Sequence, residues 1–275
     1  MSFDLDGPLL LVGAGKMGGA LLSGWLARGL DPAQVVVIDP APPAEIKALL
    51  AQHRIRLEAA PLNTGKAPSV ILMAVKPQAM DTVFPPVAEL AGPGTIVISI
   101  AAGRTIASFE QHLMAATPVI RTMPNTPAAI GRGITVCAAN AHVQARERAL
   151  CEALLSAVGE VGWVGDEALI DAVTAVSGSG PAYVFLLVES LAAAGVDAGL
   201  DPQLSMRLAR ATVSGSGELL RQSPGLDAAA LRRNVTSPGG TTAAALAVLM
   251  APDGLEALMT RAVEAAARRG RELAG

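Results

Sequence analysis

Three glycines, Gly13, Gly15 and Gly18, stand directly after the apolar run Leu9–Val12. A Gly-x-Gly-x-x-Gly turn between a buried strand and a helix is typical of a site for a dinucleotide pyrophosphate. The first glycine permits the tight turn, the second lets the backbone approach the phosphates, and the third lets the helix pack against the strand. Unpaired N–H groups at the start of that helix, with their partial positive charge, would bind the phosphates.

An acidic residue, Asp39, follows the next apolar run, Val35–Ile38. A carboxylate at the end of a second strand accepts hydrogen bonds from the adenosine ribose and repels a 2′-phosphate, which favours NAD. Arg54 and Arg56 follow soon afterwards and could approach a phosphate instead. The residues therefore leave both NADPH and NADH open as the cofactor.

Hydroxyl groups and glycines also gather near the other end of the chain, in the run Ser-Pro-Gly-Gly-Thr-Thr at 237–242. The proline and the paired glycines precede a helical run, Ala243–Met250, whose first N–H groups would lie beside two hydroxyls. This arrangement predicts a cradle for a carboxylate or a phosphate. A second loop of glycine and serine, Ser177–Tyr183, also opens a helix, and we expect the two loops to line one pocket.

The elements that must position these residues differ between the two halves of the chain. Continuous apolar runs that alternate with helical segments indicate a parallel sheet covered on both faces. After Val164 only helical patterns rich in Ala and Leu remain. We therefore predict a doubly wound, mainly parallel α/β domain over residues 1–164 and an all-α domain over 165–275. The predicted strands are Leu9–Val12, Val35–Ile38, Ile55–Leu57, Val70–Val75, Thr95–Ile100 and Val119–Arg121.

Composition limits the partners. Of the 275 residues 51% are hydrophobic and 16% charged, and a net charge of −3 gives no reason to expect nucleic acid. The longest uncharged stretch, Ala172–Val188, contains a turn or helix start at 177–181, so we expect no membrane span. The absence of a secretory leader and the presence of only two cysteines, Cys137 and Cys151, favour a cytoplasmic protein. We expect the helical domain to bury apolar surface against a second copy.

In both domains the chain resembles the pyrroline-5-carboxylate reductase family. The resemblance implies that NADPH or NADH reduces L-1-pyrroline-5-carboxylate to L-proline, the last step of proline biosynthesis. It also implies a Rossmann domain, a helical dimerisation domain and a homodimer, with a ring of dimers as the larger alternative; we expect no metal site. The matching segments are Val12–Gly18, Ala74–Pro77, Met123–Pro127, Asp171–Thr174 with Ser177–Tyr183, and Leu231–Thr242.

The resemblance also assigns site residues by position. From the chemistry of an iminium substrate, we expect the Thr242 hydroxyl to hydrogen-bond the ring nitrogen and Glu167 to balance the positive charge. The implied substrate-binding residues are Glu167, Asn234, Ser237, Gly239, Gly240, Thr241 and Thr242. The implied cofactor-binding residues are Val12, Gly13, Ala14, Gly15, Lys16, Met17, Ala74, Val75, Lys76, Pro77, Ile100, Ala101, Ala102 and Asn125, the last beside the nicotinamide. The glycine turn and the end of the second strand add Gly18 and Asp39 to the predicted cofactor site.

Two departures from the family pattern leave questions open. Asp39 stands where many members have a neutral or phosphate-friendly residue, and the segment Pro224–Ala228 lacks the acidic and His-Pro pattern common before the Ser-Pro-Gly-Gly loop. The alternatives are a reductase of another cyclic imine, a 3-hydroxyacid dehydrogenase, or a non-catalytic NADP sensor. The dehydrogenases use a lysine in the second domain, whereas every Lys and His of this chain lies before residue 143.

Overall fold

The computed structural model describes residues 3–62 and 65–274. The chain forms two compact units. The first comprises the described residues up to Gly178 together with 267–274, and the second comprises Ser179–Ala266. The two units are defined by contacts within the chain, and residues 165–178 belong to the first of them. The domain boundary between residues 164 and 165 stays a prediction.

The first unit is built on one eight-stranded sheet. Its strand order is β3-β2-β1-β4-β5-β6-β7-β8, and neighbouring strands are parallel except for the antiparallel pair β6 and β7. The doubly wound, mainly parallel sheet predicted from the sequence is therefore confirmed. The strands are Leu9–Val12 (β1), Val35–Ile38 (β2), Arg56–Glu58 (β3), Val70–Met73 (β4), Ile96–Ser99 (β5), Val119–Met123 (β6), Gly133–Ala139 (β7) and Gly159–Trp163 (β8).

Helices cover both faces of this sheet. Because successive side chains of a strand point to opposite faces, Leu9 and Leu11 of β1 join one core, and Leu10 and Val12 join the other. The first core contains the fully buried Trp25, whose indole N–H donates to the Leu154 carbonyl at 2.8 Å. The helices are Lys16–Ala27 (α1), Ala44–His53 (α2), Met80–Ala88 (α3), Ile106–Glu110 (α4), Ala145–Leu155 (α5) and Ile170–Val173 (α6).

Two strands, β7 and β8, lie outside the predicted set. Glycine, threonine or glutamate interrupts the apolar residues of each, and β7 alternates buried with half-buried residues over most of its length. Its backbone hydrogen bonds come from β6 on one side and β8 on the other. Hydrogen bonding to both adjacent strands, and not an apolar run of its own, therefore makes β7 a strand, and such pairing leaves little local signal.

The second unit is helical. Over the described residues from 165 onwards the chain forms helices and turns and no strand, so the predicted helical second half is confirmed. Ser205 Oγ donates to the Ala192 carbonyl at 2.6 Å, which joins the first two helices where their residues are small. The helices are Gly180–Asp197 (α7), Pro202–Gln222 (α8), Ala228–Asn234 (α9), Thr241–Leu249 (α10) and Leu255–Ala274 (α11), the last of which has its residues from 267 onwards in the first unit.

A long apolar helical stretch includes α7. Helical turns continue from Glu167 to Asp197, through a π-helix at Thr174–Gly178, so 177–181 starts α7 without ending the helical stretch. Among the described residues this is the one stretch whose length and composition would let it cross a bilayer; such helices also occur in soluble proteins. Phe185 and Leu186 on α7 are 62% and 60% exposed, so the second unit presents apolar side chains on its surface.

Candidate active site

The glycine turn has the shape that its sequence predicts. Gly13 has a φ of +90°, and a Cβ on it would lie 2.8 Å from the Ala74 carbonyl oxygen. A Cβ on Gly18 would collide with the Gly13 carbonyl oxygen, so the helix can pack on the turn only without a side chain there. Gly15 differs from both, because a Cβ on it would meet no atom within 4 Å. The first and third glycines are thus required by the fold, and the second leaves open space.

The first turn of α1 is free to receive an anion. Its N-cap is Gly15, no side chain caps its N–H groups, and the turn contains no acidic residue. A cleft of about 500 Å³ includes Gly15 and Lys16 and follows the flank of α1. These residues fit the pyrophosphate of a dinucleotide, because unpaired helix N–H groups and open space above a glycine are what close approach of a phosphate needs.

Asp39 is bonded to the glycine turn itself. One carboxylate oxygen accepts a hydrogen bond from the Ala14 N–H at 2.7 Å, and the other accepts one from the Ala41 N–H at 2.8 Å. The Asp39 N–H in turn donates to the Glu58 carbonyl at 2.9 Å. The side chain therefore connects the ends of β1 and β2. Recognition of the ribose by Asp39 stays a prediction.

The segments that follow β4 and β5 lie at the same edge of the sheet. The Ala74 N–H donates to the Val12 carbonyl at 2.7 Å, and the Ile100 N–H donates to the Met73 carbonyl at 3.1 Å. The structure thus places the predicted cofactor segments 12–18, 74–77 and 100–102 after neighbouring parallel strands. Ligands of open α/β sheets bind outside the carboxyl ends of the strands, where the strand order reverses.

Arg104 joins two of these segments. Its Nη2 donates to the Pro77 carbonyl at 2.8 Å and to Asp81 Oδ2 at 2.7 Å, and its Nη1 pairs with the other Asp81 oxygen. Hydrogen bonding to the Arg104 guanidinium lowers the pKa of the Asp81 carboxyl. A cleft of about 430 Å³ opens beside Arg104, and its lining includes Pro77, Ala102, Asp171 and Thr174.

Asn125 is fixed by two hydrogen bonds. Its Oδ1 accepts from the Ile134 N–H at 3.0 Å, and its Nδ2 donates to Ser177 Oγ at 3.2 Å. It follows β6, the next strand along the edge that carries the predicted cofactor segments. Contact of Asn125 with the nicotinamide stays a prediction.

Glu167 forms an ion pair with a buried arginine. Arg121, on β6 and 4% exposed, lies with its Nη1 2.9 Å from Glu167 Oε1 and its Nη2 3.8 Å from Asp171 Oδ1. The same Glu167 oxygen accepts from the Ile106 N–H, at the start of α4, at 2.9 Å. The predicted substrate residue Glu167 is thus already engaged by two donors. Sequence reasoning missed Arg121, although a charged residue within an apolar strand is a signal that could have found it.

The Ser-Pro-Gly-Gly-Thr-Thr loop forms a tight turn into α10. Gly239 has a φ of +69°, and the Gly240 N–H donates to the Ser237 carbonyl at 3.1 Å. Gly240 is the N-cap of α10, and no side chain caps this helix. Thr242 in the first turn is half-buried, whereas Asn234, at the end of α9, is exposed. The loop presents unpaired N–H groups beside hydroxyls, as the carboxylate cradle requires. The roles of its residues stay predictions.

Two family descriptions match the chain. "Pyrroline-5-carboxylate reductase dimerisation" matches residues 167–273, and "NADP oxidoreductase coenzyme F420-dependent" matches residues 9–103. Among the part of the chain that the structure describes, no three His, Cys, Asp or Glu side chains group in a way that could hold a metal ion.

Relatives and solved structures match nearly the whole chain. The pyrroline-5-carboxylate reductase of Pseudomonas aeruginosa is 42% identical over 97% of this chain and 96% of its own, and that of Synechocystis is 40% identical over 96% and 97%. The solved structure of the Coxiella burnetii enzyme has a TM-score of 0.89 at 32% identity, covering 97% of this chain and 98% of its own. That of Plasmodium falciparum pyrroline carboxylate reductase, with NADP bound, has a TM-score of 0.78 at 28% identity, covering 98% and 99%. Identity of this extent over both units, with the glycine turn and the Ser-Pro-Gly-Gly loop in place, shows that the chain belongs to the pyrroline-5-carboxylate reductase family.

Proposed function

We propose that this protein reduces L-1-pyrroline-5-carboxylate to L-proline, the final step of proline biosynthesis, with NADPH or NADH as the reductant. The observation that carries the proposal is full-length identity of up to 42% to reductases of this name. The open, uncapped starts of α1 and α10 support it, because they match the two anionic parts of the reaction, a pyrophosphate and a carboxylate.

When bound, the nicotinamide cofactor supplies a hydride to the ring carbon of the C=N bond. The ring nitrogen keeps the proton that it carries in the iminium form, so the product gains one hydride and the cofactor leaves oxidised. An iminium carbon is electrophilic before the protein acts, so no lysine or histidine is required near the ring. The helical half contains neither, as this chemistry allows. The protein contributes mainly by positioning the two reactants, which can lower the activation barrier by up to ~7–11 kcal/mol.

The residues of the helical unit take the substrate. Backbone N–H groups and hydroxyls of 237–242 hold the carboxylate, and the Thr242 hydroxyl hydrogen-bonds the ring nitrogen. Glu167 shares the Arg121 guanidinium with Asp171, so this cluster of two carboxylates and one guanidinium keeps a net negative charge that balances the iminium. We retain Asn234 as a substrate residue because it ends the helix that leads into the loop.

We propose that the protein is a cytoplasmic homodimer, with a ring of dimers as the larger alternative. The match to a family description for dimerisation over 167–273 supports the dimer. The exposed apolar side chains of α7 support it too, since an obligate interface resembles a domain core cut in half. Two free, buried cysteines, Cys137 and Cys151, suit a reducing compartment.

One assay tests the activity against its rivals. The purified protein is given NADPH or NADH with pyrroline-5-carboxylate, a 3-hydroxyacid with the oxidised cofactor, or a six-membered cyclic imine. We expect fast oxidation of the reduced cofactor with pyrroline-5-carboxylate and formation of proline. Preference for the six-membered imine would indicate a changed pocket wall at 224–228. Cofactor binding without turnover of any substrate would indicate a sensor.

A further inference from the structure

The hydrogen bond between Asn125 and Ser177 has a defined direction. The Ile134 backbone N–H can only donate, so the carboxamide end that faces it must be the oxygen. The NH₂ end of Asn125 therefore faces Ser177, and Ser177 Oγ accepts the hydrogen bond. One N–H of the Asn125 amide is used in this way, and the amide has a second to offer.

The segment that carries Ser177 is packed closely against the end of β6. A Cβ on Gly178 would lie 2.5 Å from Met123 Cε, so the absence of a side chain at Gly178 lets the two approach. Ser177 and Gly178 belong to the π-helix Thr174–Gly178, a distortion that is frequent at functional sites. Met123 is the last residue of β6 and lies two positions before Asn125.

Strand β6 also contacts the beginning of the helical segment 167–178. Arg121 on β6 pairs with Glu167 at 2.9 Å and approaches Asp171 at 3.8 Å. Residues of β6 and the turn after it thus contact the segment at its beginning, through Arg121, and at its end, through Asn125 and Met123. The position of Ser177 is therefore determined by the sheet.

We propose that Ser177 is a positioning residue that orients the Asn125 carboxamide for the bound dinucleotide. Asn125 follows β6 at the carboxyl edge of the sheet, where the cofactor of the proposed function would lie. With the oxygen held by Ile134 and one N–H held by Ser177, the remaining N–H has a single direction in which to donate. The inference rests on the proposed function, because it assigns Asn125 a contact with the cofactor.

A double-mutant cycle tests this role. The variants are Ser177→Ala, Asn125→Ala and the pair together, and the readouts are the Kd of NADPH or NADH, kcat, and the Tm without cofactor. We expect Ser177→Ala to weaken cofactor binding about five- to tenfold, the size of one lost hydrogen bond to a half-buried group. The double variant should bind no more weakly than Asn125→Ala alone. Ser177→Thr, which keeps the hydroxyl, should restore binding.

The controls separate positioning from general damage. Ser214→Ala, at an exposed position of α8, should leave Kd and kcat unchanged. Wild-type Kd and kcat in Ser177→Ala, or losses that add in the double variant, would overturn the proposal. If the wild type binds cofactor but does not reduce pyrroline-5-carboxylate, the proposed function is wrong. The double-mutant cycle measured by the Kd of the cofactor still tests the role of Ser177 in that case.

Discussion

The Asp39 carboxylate accepts a hydrogen bond from the Ala14 N–H at 2.7 Å, so the end of β2 holds the glycine turn directly. Both carboxylate oxygens serve backbone N–H groups, since the other bonds Ala41. Asp39 therefore combines a structural contact with a negative charge beside the predicted phosphate site. Any change at this position should alter the turn as well as the preference for a cofactor.

Asp39→Asn removes the negative charge and keeps nearly the same side-chain volume. We expect the ratio of kcat/KM for NADPH to that for NADH to rise about tenfold, because the charge that repels a 2′-phosphate is removed. Stability should fall by ~1 kcal/mol, since one amide oxygen cannot serve both N–H groups. Asp31→Asn is the matched control, because Asp31 accepts from the Ala33 N–H at 3.0 Å at an exposed turn. An unchanged ratio would remove Asp39 as the determinant of preference.

Substitution of the turn glycines by alanine should lower stability at Gly18 and weaken cofactor binding at Gly15. Gly18→Ala places a Cβ against the Gly13 carbonyl oxygen, and we expect the free energy of unfolding to fall by ~1–3 kcal/mol, as for overpacking. Gly15→Ala meets no atom at a φ of −69°, so its stability should match the wild type. Its Kd for the cofactor should nevertheless rise at least about tenfold, because the methyl group occupies the space for the phosphates. Urea unfolding and cofactor titration measure both, and tight cofactor binding by Gly15→Ala would contradict the phosphate assignment.

Removal of the buried Arg121 guanidinium should lower the free energy of unfolding. Arg121→Met leaves the partly exposed carboxylates of Glu167 and Asp171 without their cation. We expect a loss above the ~1 kcal/mol of an exposed pair and below the ~3–5 kcal/mol of a fully buried one. Arg56→Met breaks an exposed pair with Glu58 and should cost at most ~1 kcal/mol. Denaturant unfolding of the two variants gives the comparison. Equal losses would show that Arg121 is not a structural anchor.

Thr242 should affect the chemical step. We expect Thr242→Ala to lower kcat about ten- to hundredfold, with a smaller change in KM, because the hydrogen bond lost is to a charged iminium N–H and is worth ~1.5–3 kcal/mol. Thr242→Ser keeps the hydroxyl and should recover most of kcat. Thr260→Ala is the control, because Thr260 Oγ bonds the Glu256 carbonyl on exposed α11. If kcat of Thr242→Ala equals that of the wild type, Thr242 has no part in the mechanism.

The two thiols should be inert in the folded protein. Burial raises the pKa of the Cys151 thiol well above its usual range, and contact with Cys137 raises it further. A raised pKa leaves less thiolate at a given pH, and the thiolate is the reactive form. At pH 8 a disulfide reagent should modify neither buried cysteine until guanidinium unfolds the protein. Rapid modification of the native protein would contradict this burial.

Local patterns in the sequence were enough for much of the architecture. The apolar run of β1 and the spacing of Gly13, Gly15 and Gly18 depend on neighbours within a few residues, so the turn and its open helix start could be predicted. The same holds for the turn at Ser237 that opens α10. Strand β7 could not be predicted, because its residues form no continuous apolar run and its extended conformation depends on backbone pairing with β6 and β8.

By itself, the sequence determined a parallel α/β half, a helical half and two loops that suit anions, since spacing and residue type decide these features locally. Only the tertiary structure decided which side chains meet across long separations. Arg121 lies 46 residues from Glu167, and Asn125 lies 52 residues from Ser177. The packing of residues 167–178 against β6 creates both contacts, and a one-dimensional pattern carries no record of that packing.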